Sequence, residues 1–144
     1  MGDQLFWGTI IIAITVLIHV SGLFVLIKLL GRMSPGGKAP TMRPQVYALL
    51  TAAVFGIIAV HTIEIWVWAS IYLYLGEFSN LESALYFSAV TSTTLGYGDL
   101  TLSDQWRLLG TFEAMGGLIL FGVSTAFLLA LFNRLFAEFR SDEN

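Results

Sequence analysis

The chain has 144 residues, 56% hydrophobic and 12% charged, with a mean hydropathy of +0.78 and a net charge of −3. A soluble domain carries about one quarter charged residues, and one of this size exposes too much of its surface to hide so many apolar groups, so most of this surface is solvated by lipid. The negative balance argues against a nucleic-acid partner, which would call for a basic patch, the lack of cysteine excludes disulfides and thiolate metal sites, and no glycine-rich loop runs into Lys-Ser or Lys-Thr to cradle a phosphate.

Three long apolar stretches follow in chain order, about Leu5–Leu30, Val46–Leu75 and Leu108–Leu135. Each exceeds the roughly 20 helical residues needed to cross a bilayer core, and helix satisfies every backbone group within the segment. The first stretch has no Lys or Arg before it and is too long for a signal-peptide core, so it reads as a retained membrane helix. The first domain, residues 1–44, is then this helix plus a basic loop. That loop, Gly31–Pro44, contains the breakers Ser34-Pro35-Gly36-Gly37 and Ala39-Pro40, with Lys28, Arg32, Lys38 and Arg43 in or beside it. By the positive-inside rule it is cytoplasmic. The second helix then runs outward, the third returns, and Arg134 and Arg140 join the cytoplasmic side. Only Arg107 of the seven basic residues falls outside. The N-terminus is expected outside and the C-terminus, with the short tail 137–144, inside.

Between the second and third spans lies Phe78–Trp106, too short and too polar for another crossing. Ser79 and Glu82 fit a capping box, predicting a half-helix over 80–92 with Leu81, Ala84, Leu85 and Ser88 on one face. It leaves from and returns to the outer side, so its partially negative C-terminus points into the membrane. Thr94-Leu95-Gly96-Tyr97-Gly98 follows. A dehydrated potassium ion needs a cage of oxygens, which successive carbonyls supply if all point one way; glycine tolerates the dihedrals this requires. Thr94 adds a hydroxyl, and Tyr97 is placed to brace the strand from outside. One strand cannot encircle an ion, so four chains are expected around one axis.

The stretch Thr93-Thr94-Leu95-Gly96-Tyr97-Gly98-Asp99 resembles the potassium-channel filter, whose usual core is TVGYG. Ala84-Leu85-Tyr86-Phe87-Ser88 resembles the pore helix with its aromatic cuff. Trp106-Arg107-Leu108 and Gly116-Gly117 through Thr125-Ala126 resemble the inner helix. The whole is similar to the small bacterial potassium-channel-like proteins, over about Val46–Leu135. The resemblance implies an all-α membrane fold: three transmembrane helices, a re-entrant pore helix and filter loop, and a four-fold homotetramer in the plasma (inner) membrane. It implies a pore domain over 45–136, with outer helix 46–75, pore helix 80–92, filter 94–99 and inner helix 107–136. It implies K+ as permeant ion, held by Thr94, Leu95, Gly96, Tyr97 and Gly98. Asp99, Tyr86, Phe87 and Val90 would support the filter and outer mouth, and Leu118, Phe121 and Thr125 would line a cavity. Leu95 stands where Val is usual; its side chain is expected to face the packing behind the filter. Val90 stands where some relatives carry a Glu that bonds the filter Asp, so Asp99 is expected to be held by a Trp or Tyr donor instead. Gly117, beside Gly116, occupies the gating-hinge position; close helix packing explains it equally.

His19, His61, Glu64 and Glu113 are ionisable residues inside apolar spans, which makes them functional candidates. They read as one polar cluster, either a pH sensor or a set of helix-to-helix bonds; the ligands visible in sequence are too few for a metal site. Trp66, Trp68, Tyr72 and Tyr74 read as an interfacial belt. No nucleophile–base pair suggests an enzyme. A less selective cation channel and a non-conducting scaffold are the competing functions.

Overall fold

The computed structural model describes residues 2–33 and 43–141, and among them the chain is all helical. Lys38 and the predicted breakers between Ser34 and Pro40 lie outside the described residues, as do the side chains of Arg43 and Arg140. Three long helices carry the apolar stretches: α1 Gly2–Met33, α2 Arg43–Tyr74 and α4 Arg107–Ser141. All three are long and apolar enough to cross a membrane. α2 begins earlier than the expected 46, because Pro44 is tolerated in a first helical turn, and α4 runs past 136, where no proline or glycine stops it.

The short helix α3, Leu81–Ser92, begins one residue later than predicted. Its N-cap is Asn80, whose Oδ1 accepts the Ser83 amide at 2.8 Å. Ser79 is therefore not the cap and the Ser79–Glu82 box does not form: Asn80 is an equally good capping residue, and its position makes Ser83 the third helical residue. The inward face is also shifted. Ala84, Phe87 and Ser88 are buried, while Leu81 is exposed.

α1 packs against both α2 and α4. A Cβ at Gly22 would come within 2.6 Å of Val60, and one at Gly56 within 2.5 Å of Leu26. These two glycines let α1 and α2 approach closely, the role small residues play where lipid gives helices no hydrophobic reason to associate. The core falls into two apolar clusters. One joins Leu23, Leu26 and Leu30 of α1 to Leu49, Ala53 and Ile57 of α2 and Leu135 of α4. The other joins Ile11, Trp68, Tyr72, Phe87 and Leu109. Trp68 and Tyr72 are therefore core residues and not part of an interfacial belt; of the four aromatics proposed for it, Trp66 and Tyr74 are exposed. Spacing explains the split, since residues four apart share a helix face and that face of α2 meets α3 and α4.

The N-terminus of α4 is capped from a distance. Gln4 Oε1 of α1 accepts the Leu108 amide at 3.0 Å, satisfying one of the amides that a helix start leaves without a partner.

Candidate functional site

The segment after α3 folds back on the helix it leaves. The Thr94 amide donates to the Thr91 carbonyl at 2.9 Å, and the Leu95 and Gly96 amides both donate to the Val90 carbonyl, at 3.0 and 3.2 Å. Val90 thus contributes its backbone here, whatever its side chain lacks. Positive φ then recurs at every second residue: 58° at Thr94, 57° at Gly96 and 76° at Gly98. Glycine reaches this region freely. Thr94 is β-branched, and for such a residue a positive φ is a true outlier; strain of this kind costs about 1–3 kcal/mol and gathers at functional sites.

Residues Thr93–Asp99 are all exposed in the single chain. Leu95 is 56% and Tyr97 67% exposed, so the expected packing behind Leu95 and outside Tyr97 is not supplied by their own chain. Asp99 does have a donor within the chain: Tyr86 Oη donates to Asp99 Oδ2 at 2.7 Å. That hydrogen bond pushes the Tyr86 hydroxyl above its usual pKa. Phe87, expected beside Tyr86 as filter support, instead points into the core, with its ring 5.2 Å from Tyr72 and 5.1 Å from Phe78. Adjacent helical residues face about 100° apart, and within the chain this sends Tyr86 to Asp99 and Phe87 to the core.

Below this segment α3 meets α4 at Gly117. A Cβ there would stand 2.1 Å from the Ser92 carbonyl oxygen, whereas one at Gly122 would meet nothing and one at Gly116 only Ile12 at 3.6 Å. Gly117 therefore serves close packing against the end of α3. Leu118, Phe121 and Thr125 lie together on an exposed face of α4.

The four ionisable residues of the spans form two groups. Glu113 is fully buried between Tyr72 and Ser88. Tyr72 Oη donates to its Oε2 at 2.6 Å, and Ser88 donates to its Oε1 while lying 3.1 Å from the Ile65 carbonyl. This ties α2, α3 and α4 at one point. His19, His61 and Glu64 form the second group, with Ser124. The chain thus brings three nitrogen and carboxylate ligands together where the sequence spacing exposed only the His61–Glu64 pair; His19 arrives through the packing of α1. Neither Ser124 nor Tyr72 is legible as a partner in the sequence, because a serine in an apolar run and a tyrosine near a span end each have commoner explanations.

Comparison with known proteins adds one finding. No curated protein and no solved structure is matched, but a family model described as ion channel matches residues 60–134. The match runs from the middle of α2 through α3 and the Thr93–Trp106 segment to the end of the apolar part of α4, just over half of the chain. With three helices able to span a bilayer, this is a membrane protein, and the chain belongs to the ion-channel family.

Proposed function

We propose that four copies of this chain surround one axis and conduct K+ selectively past Thr94, Leu95, Gly96, Tyr97 and Gly98. The recurrence of positive φ at residues 94, 96 and 98 carries this reading. Alternation between positive and negative φ turns successive peptide groups the same way. The amides of Thr94, Leu95 and Gly96 turn toward α3, which favours carbonyls on the opposite side, where they replace the water around a dehydrated ion.

One such strand per chain supports assembly by rotation, and four strands close a cage around an ion. The exposure of Leu95 and Tyr97 fits burial against a neighbouring chain. α3 acts as a re-entrant pore helix, its C-terminal end giving partial negative charge to the inner end of the filter. Tyr86, Asp99 and the Val90 carbonyl hold the filter, Leu118, Phe121 and Thr125 line the cavity below it, and Gly117 lets α4 pass under α3. The basic residues place the loop between α1 and α2 in the cytoplasm of the plasma (inner) membrane, with the N-terminus outside. α1 lies outside the family match and acts as a buttress on α2 and α4.

Crystals or particles prepared in Tl+ test the assignment. Density for the ion on a four-fold axis between Thr94 and Gly98 is expected; a filter without ions, or an assembly with no four-fold axis, contradicts it. Leu95 in place of Val favours a second reading, a less selective cation channel, which equal occupancy in Na+ would support.

A further inference from the structure

Near the middle of all three long helices lies a ring of four side chains that conduction does not use. His19 Nδ1 of α1 is 2.8 Å from Glu64 Oε1 of α2, and His61 Nδ1 is 2.9 Å from Glu64 Oε2. Ser124 Oγ of α4 closes the ring, 3.1 Å from His61 Nε2 and 3.2 Å from His19 Nε2. His19 is fully buried and Glu64 is nearly so.

Hydrogen counting exposes a deficit. Four contacts need four hydrogens, and with Glu64 ionised two neutral imidazoles and one hydroxyl supply three. One of the four contacts therefore lacks a hydrogen. If both imidazoles give Nε2–H to Ser124 Oγ, which has two lone pairs, both Nδ1 lone pairs converge on the carboxylate. Their ligand atoms lie within 4.8 Å of one another. Nitrogen and carboxylate lone pairs that converge in this way repel each other unless a cation sits among them.

We propose that His19, His61 and Glu64 bind one divalent transition-metal ion of the zinc class. Two imidazoles and a carboxylate are a zinc donor set, whereas K+ and Mg2+ are better served by oxygens alone. The two nitrogen–oxygen separations, 2.8 and 2.9 Å, are close to those of neighbouring ligands around a tetrahedral ion. Ser124 supplies the outer hydrogen bond that ligating histidines usually make through the second ring nitrogen. The fourth position falls to water: His61 and Glu64 line a cavity with room of about 20 Å3, enough for one water. Glu113 lines the same cavity, and none of its lining residues is Lys or Arg. Entry is by way of His61, whose side chain is 11% exposed and which stacks on the exposed Phe121 at 4.2 Å. The site ties α1 and α2 to α4 and stands whether or not the pore selects K+.

The test is Co2+ titration of the untagged full-length protein in detergent, followed by visible absorption. One ion per chain with the intense band of four-coordinate cobalt is expected, displaced by Zn2+. His61→Gln and His19→Gln, checked for wild-type assembly by size-exclusion chromatography, should lose the band. Ser124→Ala should weaken binding roughly 10–100-fold. Zinc should raise the Tm of the wild type and not of His61→Gln, a readout that remains if His19→Gln fails to fold. A folded wild type with no band at millimolar cobalt, or an undiminished band in His61→Gln, overturns the proposal.

Discussion

Tyr86 and Asp99 are joined by a 2.7 Å hydrogen bond that reaches from the middle of α3 to the far end of the Thr94–Gly98 segment. It is a direct side-chain link between the helix and the end of that segment. Charge-assisted bonds of this type are stronger than neutral ones, and here the bond fixes where the segment ends, while the Thr91 and Val90 carbonyls fix where it begins. The Tyr86→Phe variant keeps the ring and removes the donor. It is expected to leave the helices intact while lowering the thermal stability of the assembly and shortening conducting periods; single-channel recording reads the second effect directly.

The same bond sets an alkaline limit. Acceptance by Asp99 raises the Tyr86 hydroxyl above its usual value of 10.0. A group whose folded pKa is raised gives stability that is present in full below the unfolded value and is lost as pH climbs through the raised one. Stability should therefore be insensitive to this group at neutral pH and fall above the ordinary tyrosine range. Thermal melts of wild type and Tyr86→Phe across that range check it: the gap between them should close at high pH.

Gly117 and Gly122 separate close packing from hinge bending. The Gly117→Ala variant places a methyl against the Ser92 carbonyl, a backbone atom that yields only if the end of α3 moves. Overpacking of this kind costs about 1–3 kcal/mol, and the filter should be disturbed with it. Gly122→Ala meets open space and should be neutral or stabilising by up to about 1 kcal/mol. Denaturation midpoints and ion flux of the two variants, measured together, give the comparison.

Glu113 holds three helices through two hydroxyls. Replacing it with Ala leaves the buried Tyr72 hydroxyl without its acceptor, at about 1–3 kcal/mol, in addition to the cavity, while Ser88 keeps only the Ile65 carbonyl. In Glu113→Gln the amide oxygen accepts from Tyr72, the amide nitrogen donates to Ser88, and Ser88 turns to the Ile65 carbonyl 3.1 Å away. The Gln variant should therefore stay near wild-type stability and the Ala variant should not. Thermal unfolding in detergent distinguishes them.

Much of this architecture is legible in the residues themselves. Apolar runs of more than 20 residues leave helix as the form that satisfies the backbone in lipid, and Gly96 and Gly98 at alternate positions announce an irregular backbone. What cannot be read is which side chains meet across helices. His61 and Glu64 share a face by spacing, but the arrival of His19 depends on how α1 lies on α2, and that follows from contacts at Gly22 and Gly56. Glu113 groups with the histidines by type, as an ionisable residue inside an apolar span; the rotation of α4 sends it to Tyr72 and Ser88 instead. The α3 cap shows the finest limit. Ser79 and Asn80 are both good caps, and local sequence does not choose between neighbours of equal propensity.

The most direct measurement is ion flux into liposomes carrying the purified protein, with K+ and Na+ gradients compared in matched preparations. Selective conduction predicts rapid K+ flux with little Na+ flux, and loss of flux in Gly98→Ala, where a side chain would strain a φ of 76°. Equal K+ and Na+ flux, or no K+ flux from a correctly assembled protein, would contradict it.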